Sequence, residues 1–397
     1  MRRRRLLRIA VILPAACLLA LGSWLGGAAA VYSPAYVWRV LRWRDSDVGD
    51  YLHHFPHREL ADSLDPYYFE EAHHEARVEE VFETILDTDD LASFLAENDS
   101  QSFIVIKNDR VIYERYFNGW RRDSMVTSFS VAKSFVSTLV GIAIDEGYIA
   151  SVDDPITAYL PELAERDERF GRITIRHLLT MSSGLGYHAD GWYLFNGDDP
   201  LTTYYPDQRE ISLTNIGIEE APGQRFRYNK YHPQLLGMIL ERATGMSVTE
   251  WTQTRLWSRI GMEFDGAWCL DSNESGFEKM EAGINARAID FAKLGRLFLQ
   301  GGRWNGEQVV SESWVETATG TDPAGQAPAF ADDSFYGYMW WGVPRSGHPP
   351  DFIAEGDHGQ YIYVSPANDL IIVRTGTEYG IEPAGWVDAF SRAAAEL

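Results

Sequence analysis

The sequence predicts an α+β fold, with one antiparallel sheet formed by both ends of the chain and flanked by helices, an all-helical region, and one N-terminal transmembrane or signal helix. Three observations predict this architecture. A strand hairpin lies early in the chain, a second hairpin lies near its C-terminus, and the sequence between them has mostly the apolar spacing of helices. Since strands at both ends must bury an apolar face, we expect them to complete one sheet.

The composition of residues 1–31 predicts a membrane anchor or a signal peptide. Five arginines within the first eight residues precede an uncharged run from Ile9 to Val31. That run is long enough to span a bilayer, and the arginines favour a cytoplasmic N-terminus. Its length favours a retained single-pass anchor at the cell membrane with an exported domain. The alternative is a signal peptide cleaved after Ala28-Ala29-Ala30, which would leave a secreted or periplasmic protein.

Residues 32–95 are expected to form a juxtamembrane and N-terminal extension. Its "AYVWRVLRWR" places Trp38 and Trp43 among arginines, which is typical of a helix at a membrane interface and equally of an ordinary linker helix. Paired histidines follow at positions 53–54 and 73–74, but adjacent helical residues point in different directions and no cysteine or spaced carboxylate set completes a site. We therefore expect surface histidines, no metal and no cofactor.

The main domain is expected over residues 96–397. "SFIVIKNDRVIYERYF" predicts two strands joined at Asn108-Asp109, and "VAKSFVSTLVGIAIDEG" predicts a buried helix that ends at Gly147. "ITIRHLLTMSSGL" predicts a short strand leading into a helix, and "YHPQLLGMILERATG" and "NARAIDFAKLGRLFLQGG" predict further helices. "QYIYVSPANDLIIVRTG" predicts the second hairpin, and "AGWVDAFSRAAAEL" predicts a closing helix.

Composition excludes some classes of function. The net charge of -23 repels phosphate backbones, so nucleic acid is not an expected partner. The hydrophobic content of 45% and the aromatic content of 13% are those of a packed globular protein. Cys17 and Cys269 are too few for a disulfide framework, so the stability of the fold must come from its core.

The main chemical signal is a lysine one helical turn after a serine, in "SFSVAKSF". Ser130 and Lys133 are three residues apart and therefore share one face of a helix. Burial among Val131, Phe135 and their apolar neighbours lowers the pKa of a lysine, and a neutral lysine can remove the proton of a serine hydroxyl. Ser-x-x-Lys is a motif of penicillin-binding proteins and β-lactamases.

The order of further motifs resembles the serine β-lactamase-like superfamily, in particular its class C-related branch of esterases and 6-aminohexanoate-oligomer hydrolases. The matching segments run from about residue 95 to the C-terminus and are "SFSVAKSF", "ITIRHLLTMSSGL", "APGQRFRYNKYHPQLLGMILERATG", "INARAIDFAKLGRLFLQGGRWNGEQVVSESW", "YGYMWW" and "GDHGQYIYVSP". The resemblance implies a β-lactamase/transpeptidase-like fold. It also implies that Ser130 is the acylated nucleophile, that Lys133 is its base, and that Tyr228 is a second proton shuttle that serves the leaving group.

The resemblance further implies an oxyanion hole beside a strand. His358 and Gly359 would lie where many relatives carry a Lys-Thr-Gly or His-x-Gly strand motif. The backbone N–H of the nucleophile and that of Gln360 or Tyr361 would then stabilise the negative charge that develops on the substrate oxygen.

Lys230 departs from the family pattern, because relatives commonly carry asparagine or serine two residues after the tyrosine. Three interpretations stay open. A cation here would repel protonated Lys133 and lower its pKa, it would attract a substrate carboxylate, or it would point into solvent.

The segment 187–215 is rich in tyrosine, tryptophan and aspartate and lacks a regular apolar period. Its position suggests a lid that shapes the pocket, and a structural loop packed under the helical region is the alternative.

Together these patterns predict an exported, membrane-associated serine hydrolase that forms an acyl-enzyme with a small-molecule ester or a short linear amide. One alternative is a D-alanyl peptidase or β-lactamase that acts on cell-wall-like substrates. A second alternative is a catalytically silent binding protein with the same fold. The sequence predicts no oligomeric state.

Overall fold

The computed structural model describes residues 2–44, 49, 51–72, 74–320 and 334–397, with side chains from Cys17 onward. Its α-helices, in chain order, are α1 (Arg2–Tyr32), α2 (Pro34–Trp43), α3 (Tyr51–His54), α4 (Glu75–Leu86), α5 (Leu91–Glu97), α6 (Ala132–Asp145), α7 (Pro161–Arg166), α8 (Ile175–Leu179), α9 (Asp198–Tyr204), α10 (Gln208–Thr214), α11 (Tyr231–Thr244), α12 (Val248–Thr252), α13 (Ala288–Leu299), α14 (Glu312–Thr319) and α15 (Pro383–Glu396). Its strands are β1 (His57–Leu60), β2 (Glu70–Glu71), β3 (Ser100–Lys107), β4 (Arg110–Tyr116), β5 (Val126–Thr127), β6 (Gly266–Cys269), β7 (Ile284–Ala286), β8 (Arg303–Trp304), β9 (Glu307–Gln308), β10 (Phe335–Tyr336), β11 (Trp341–Val343), β12 (Asp351–Gly356), β13 (Gln360–Ser365) and β14 (Leu370–Gly376).

The main sheet joins both ends of the chain, as the sequence predicted. Its strand order is β10-β11-β12-β13-β14-β3-β4-β2. The late strand β14 pairs antiparallel with the early strand β3, with Val373 opposite Ile104. The early hairpin turns at Asn108 and Asp109, whose φ values of 49° and 62° suit a tight hairpin turn. Both predicted hairpins are therefore confirmed.

Two apolar cores lie on opposite faces of this sheet. Along β3, Ile104 and Ile106 join the core that contains α6, α11 and α13, whereas Phe103 and Val105 join the core that contains α4 and α15. This division follows from the alternation of side chains along a strand. The first core holds the helical region against the sheet, and the functional site lies at its edge.

A second, four-stranded sheet has the order β1-β6-β7-β5. Its strand β1 lies in the N-terminal extension and pairs with β6, and Phe82 of α4 packs on Phe103 at a ring distance of 5.1 Å. Packing therefore crosses the predicted domain boundary at residue 96, and the extension from β1 onward contributes to the sheets and cores of the main domain.

The prediction of one short strand was wrong. The strand expected at the start of "ITIRHLLTMSSGL" is reduced to a single bridge between Thr174 and Pro155. Thr174 instead occupies the N-cap position of α8, where its N–H donates to His177 Nδ1 at 3.0 Å and its hydroxyl lies 3.0 Å from the same nitrogen. A capping threonine has extended dihedral angles, and this explains why it resembles a strand residue.

The N-terminal helix α1 is followed by a sharp bend into α2. Within the described residues, no single helix meets the length and hydropathy of a membrane span, and Cys17–Tyr32 and α2 meet them only as a pair bent by 118°. Of the predicted surface histidines, His53, His57 and His74 are exposed, His54 lines a cavity described below, and His73 lies outside the described residues. Cys17 and Cys269 are both free thiols.

Candidate active site

Ser130 lies in a short 3-10 turn, Phe129–Val131, between β5 and α6. The turn is anchored on one side by the Ser128 N–H, which donates to the Ile284 carbonyl at 2.8 Å. Phe129 has a φ of 43°, a conformation that is costly for a bulky residue and that tends to occur where the surrounding structure imposes it. This turn presents the Ser130 side chain to two cavities.

Lys133 lies in the first turn of α6 and is 1% exposed. Its Nζ lies 2.8 Å from Ser130 Oγ and 2.9 Å from the Glu281 carbonyl oxygen, to which it donates. Among the described residues, no carboxylate forms an ion pair with it. Burial is the main cause that lowers the pKa of Lys133 to about 7, and the positive charge of Lys230 is the second. The contact predicted from the three-residue spacing is therefore present.

Tyr228 completes a cluster with the serine and the lysine. The Lys133 ammonium lies 5.0 Å from the centre of the Tyr228 ring, and the ring stacks on Trp341 at 6.2 Å. Burial raises the pKa of Tyr228, and its hydrogen bond with Ser130 offsets only part of that effect. The phenol therefore stays protonated at neutral pH.

The backbone at the end of β12 runs along the 3-10 turn that contains Ser130. A Cβ on Gly356 would lie 2.4 Å from the Ser128 carbonyl oxygen and 3.0 Å from the Ser130 nitrogen, so this approach requires glycine. Asp357 follows Gly356 and lines both cavities that Ser130 lines.

The residues predicted after His358 lie elsewhere. Gln360 and Tyr361 are buried in β13, opposite Gly356 and Glu355, and neither lines the two cavities of Ser130. The Gln360 side chain donates to the Gly376 carbonyl at 2.7 Å. The sequence misplaced this part of the site because the hairpin turn lies between β12 and β13, and the register puts the earlier strand beside Ser130.

His358 and Gly359 form that turn. His358 has a φ of 61°, lines a cavity with Ser130, and packs its ring 5.0 Å from that of Phe129. Gly359 has a φ of 77°, and its carbonyl accepts a hydrogen bond of 2.7 Å from the buried Arg374. Gly359 therefore shapes the turn and does not line the cavities that contain Ser130.

Lys230 lies just before α11 and does not project into solvent. Its side chain is 20% exposed and forms an ion pair of 3.0 Å with Asp199 of α9. Both residues line the cavity that contains Ser130 and Tyr228. The structure favours the first interpretation of this residue, because the charge of Lys230 contributes to the lowered pKa of Lys133 even though Asp199 partly opposes it, whereas the ion pair with Asp199 leaves Lys230 less able to hold a substrate carboxylate.

Two cavities flank Ser130, and we name them by their walls. The helix cavity, of about 240 Å³, lies toward the N-terminal extension and is lined by Trp43, Arg44, His54, Phe129 and His358, among others. The tyrosine cavity, of about 540 Å³, is lined by Tyr187, Tyr228, Trp341, Glu355 and Tyr379, among others. The Ser130 side chain therefore lies between two separate spaces.

The segment 187–215 contributes to both cavities, through Tyr187 and Asp199 in one and Thr203 and Tyr204 in the other. It contains the short helices α9 and α10, which its irregular sequence did not indicate. The extension holds it in place, since the Tyr36 hydroxyl donates to the Phe195 carbonyl at 2.8 Å. This placement favours the predicted lid over the alternative of a structural loop packed under the helical region.

Sequence reasoning missed several site residues. Asp199, Glu355 and Asp357 had no recognisable spacing from Ser130, because folding brings them there from the lid and from β12. Trp341 was part of the quoted "YGYMWW", yet nothing in that segment identified which of its aromatic residues would stack on Tyr228. Within the described residues, no group of three or more histidine, cysteine or acidic side chains is arranged to hold a metal ion.

Comparison with known proteins agrees with this geometry. The family model described as beta-lactamase matches residues 94–385. A 6-aminohexanoate-dimer hydrolase from Paenarthrobacter ureafaciens is 30% identical over 303 residues, which cover 72% of this chain and 74% of that protein. Esterase EstB from Burkholderia gladioli is 29% identical over 221 residues, which cover 51% of this chain and 54% of the esterase.

Solved structures share the fold at lower sequence identity. A candidate 6-aminohexanoate-dimer hydrolase from Bacillus anthracis superposes with a TM-score of 0.72 at 22% identity, over 87% of this chain and 91% of that one. An octameric penicillin-binding protein homologue from Pyrococcus abyssi superposes with a TM-score of 0.59 at 19% identity, over 78% and 75% of the two chains. The β-lactamase/transpeptidase-like fold implied by the sequence motifs is thereby confirmed.

Proposed function

This chain belongs to the beta-lactamase family, and we propose that it cleaves an ester or a short linear amide through an acyl-enzyme on Ser130. The observation that carries the proposal is the contact of 2.8 Å between Ser130 Oγ and Lys133 Nζ. The lysine is buried, no carboxylate forms an ion pair with it in the part of the chain that the structure describes, and its pKa is lowered to about 7. A large share of Lys133 is therefore neutral at physiological pH and able to act as a base.

Acylation then begins with a proton transfer from Ser130 Oγ to Lys133 Nζ. The serine oxygen attacks the carbonyl carbon of the substrate, and the carbonyl oxygen becomes an oxyanion. The Ser130 N–H is one donor to it. We place the Asp357 N–H as the second donor, in place of Gln360 or Tyr361, because the strand end beside the Ser130 nitrogen is Gly356-Asp357.

Tyr228 serves the leaving group. When the tetrahedral intermediate collapses, the bond to the leaving oxygen or nitrogen breaks, and that atom takes the phenolic proton of Tyr228. The Lys133 ammonium, which lies 5.0 Å from the centre of the Tyr228 ring, then returns the proton taken from Ser130 to the Tyr228 phenolate, so that both groups regain their starting states. Its raised pKa suits a relay of this kind, because the phenol does not persist as a phenolate. Water then hydrolyses the acyl-enzyme in the reverse sequence of proton transfers.

Labelling with a fluorophosphonate tests the nucleophile. Wild-type protein should be labelled and Ser130→Ala should not. Ser137→Ala is the matched control, because Ser137 is a buried serine of the adjoining helix α6 whose hydroxyl has no hydrogen-bond partner among the described residues. Labelling of Ser130→Ala at the wild-type rate would refute the assignment. A panel of nitrophenyl esters, linear aminohexanoate amides, nitrocefin and D-Ala-D-Ala peptides would then separate an esterase or amidase from a β-lactamase or D-alanyl peptidase.

We also propose that α1 anchors the protein in a membrane and that the hydrolase domain is exported. The arginine-rich start and the uncharged run support this location. Exposed apolar side chains continue along α1 and α2, among them Leu18, Leu19, Trp38 and Leu41. The full chain should remain with membranes after a carbonate wash, and external protease should digest the domain in intact cells. Release by the wash would favour the cleaved, secreted alternative, and protection that persists in intact cells would place the domain in the cytoplasm.

A further inference from the structure

The tyrosine cavity combines acidic side chains with aromatic rings. Glu355 and Asp357 lie at the end of β12, and the rings of Tyr187, Tyr228, Trp341 and Tyr379 line the same space. Cations are attracted to the faces of aromatic rings and to carboxylates, so both components of this wall favour positive charge.

Glu355 is the unusual member of this wall. Among the described residues, no donor forms a hydrogen bond or ion pair with its carboxyl group. Burial, and secondarily the charge of Asp357, raise the pKa of Glu355 to about 8. A desolvated carboxyl group without a partner is costly to ionise, and a cation bound beside it would remove that cost.

The other acidic groups of the cavity already have partners. Asp199 forms an ion pair with Lys230, and Asp357 accepts a hydrogen bond of 3.1 Å from the Tyr379 hydroxyl. Glu355 thus differs from its neighbours because its half-buried carboxyl group lines the cavity and has no hydrogen-bond or ion-pair partner among the described residues. A carboxylate-bearing substrate group would meet repulsion here, whereas a cationic group would meet complementary charge.

We infer that the tyrosine cavity binds a cationic group on the leaving-group side of the substrate, with Glu355 as its counter-ion. The leaving-group side follows from Tyr228, whose hydroxyl serves the leaving atom and whose ring lines this cavity. This inference rests on the proposed hydrolase function and specifies its substrate class, an ester or amide of a cationic alcohol or amine.

The preference for a cation should depend on pH. The charge of Asp357 contributes to the pKa of Glu355. The charge of Glu355 in turn contributes to the raised pKa of four neighbouring tyrosines, for which burial is the main cause: Tyr228, Tyr336, Tyr361 and Tyr379. Lys133 and Lys230 also face the site. Near pH 7 Glu355 is mostly protonated, so a bound cation must displace its proton. The preference should therefore grow as the pH rises through about 8.

Butyrylcholine and 3,3-dimethylbutyl butyrate provide the test, because they differ only in a quaternary nitrogen in place of carbon. Wild-type kcat/KM should be about tenfold or more higher for the choline ester at pH 8.5. The ratio of the two values cancels any general loss of activity and the ionisation of Lys133. In Glu355→Gln this ratio should fall several-fold and lose its rise through about pH 8, while the aromatic rings keep the remaining preference. Glu316→Gln, which removes an exposed carboxylate of α14, should keep the wild-type ratio.

Two results would overturn the inference. One is a wild-type ratio of one or less, and the other is a ratio in Glu355→Gln equal to that of the wild type. In either case turnover of the neutral ester, together with labelling of Ser130, would leave the hydrolase function intact. Absence of labelling at Ser130 would instead refute the function on which the inference depends.

Discussion

Lys133 and Lys293 are both buried lysines on helices that line the same core, α6 and α13, but their electrostatic surroundings differ. Lys293 Nζ forms ion pairs with Asp290 at 3.0 Å and with Glu263 at 3.6 Å. Lys133 forms none among the described residues and contacts only Ser130 Oγ and a backbone carbonyl oxygen through hydrogen bonds. The same side chain is therefore surrounded by counter-ions at one site and lacks them at the other.

This difference separates a structural lysine from a candidate catalytic one. Burial lowers the pKa of both side chains, but at Lys293 the negative charges of Asp290 and Glu263 oppose that effect. At Lys133 the neighbouring Lys230 adds to it, and the carboxylates of Glu281, Asp357 and Asp199 oppose it from a distance without forming an ion pair, so that the pKa stays near 7. A buried lysine with counter-ions holds its proton and stabilises the carboxylates around it. A buried lysine without them releases its proton near neutral pH and can serve as a base.

The largest expected effect is on turnover. Ser130→Ala and Lys133→Ala should each lower kcat by about a thousandfold or more, because nucleophile and base act as one unit, and the double variant should be scarcely worse than either single one. Steady-state kinetics on folded protein measures this. If Lys133→Ala retains more than about a tenth of the wild-type rate, a loss below about 1.4 kcal/mol, the base assignment is wrong.

The second prediction concerns stability, for which Lys293 should matter more than Lys133. Lys293→Met should lower the free energy of unfolding by about 3–5 kcal/mol, because it leaves the buried Asp290 without its cation, although Glu263 keeps its ion pair with Arg122. Lys133→Met should be at least as stable as the wild type at pH 7, because it removes a lysine that folding must deprotonate. Urea unfolding of both variants tests the comparison, which fails if the two lose similar stability.

The pH dependence of that comparison has a defined sign. Between pH 7 and about 10.5 the unfolded chain holds a proton on Lys133 that the folded protein has lost, so the stability of the wild type rises with pH over this window. Lys133→Met lacks this contribution. Its advantage over the wild type should therefore be largest near pH 7 and should shrink toward pH 10.

The smallest expected effect comes from Lys230. Lys230→Asn removes a cation near Lys133 and leaves Asp199 unpaired, and both changes favour protonated Lys133. The pH midpoint of acylation, about 7 in the wild type, should rise by about one unit, and the rate at pH 7 should fall by up to about tenfold. A pH–rate series on a neutral ester measures the shift. Lys230→Arg keeps the charge and should keep the midpoint. An unchanged midpoint in Lys230→Asn would show that Lys230 does not set the pKa of the base.

Much of this architecture was predictable because its signals are local. The turn residues Asn108 and Asp109 and the alternation of apolar side chains identified the early hairpin, and helical periodicity placed Ser130 and Lys133 on one face. These features depend on dihedral preferences and on the repeat of a single element. The error at Thr174 is also local, since a cap residue and a strand residue share extended dihedral angles.

The rest of the site could not be obtained from spacing. Gly356 approaches the Ser130 backbone, Asp199 pairs with Lys230, and Glu355 turns into the same cavity, although these residues come from β12 and the lid. The sequence analysis assigned the strand motif to His358 and the residues after it. The register of β12 with β13 instead brings the residues before His358 next to Ser130.

The sequence by itself determined the two hairpins, the main helices, the family and the pair formed by Ser130 and Lys133. Only the tertiary structure decided which buried lysine lacks a counter-ion and which acidic group faces the cavity without a partner. The physical reason is that a side chain's charge state depends on desolvation and on charges within a few ångströms, and those neighbours come from segments that are far apart in the chain.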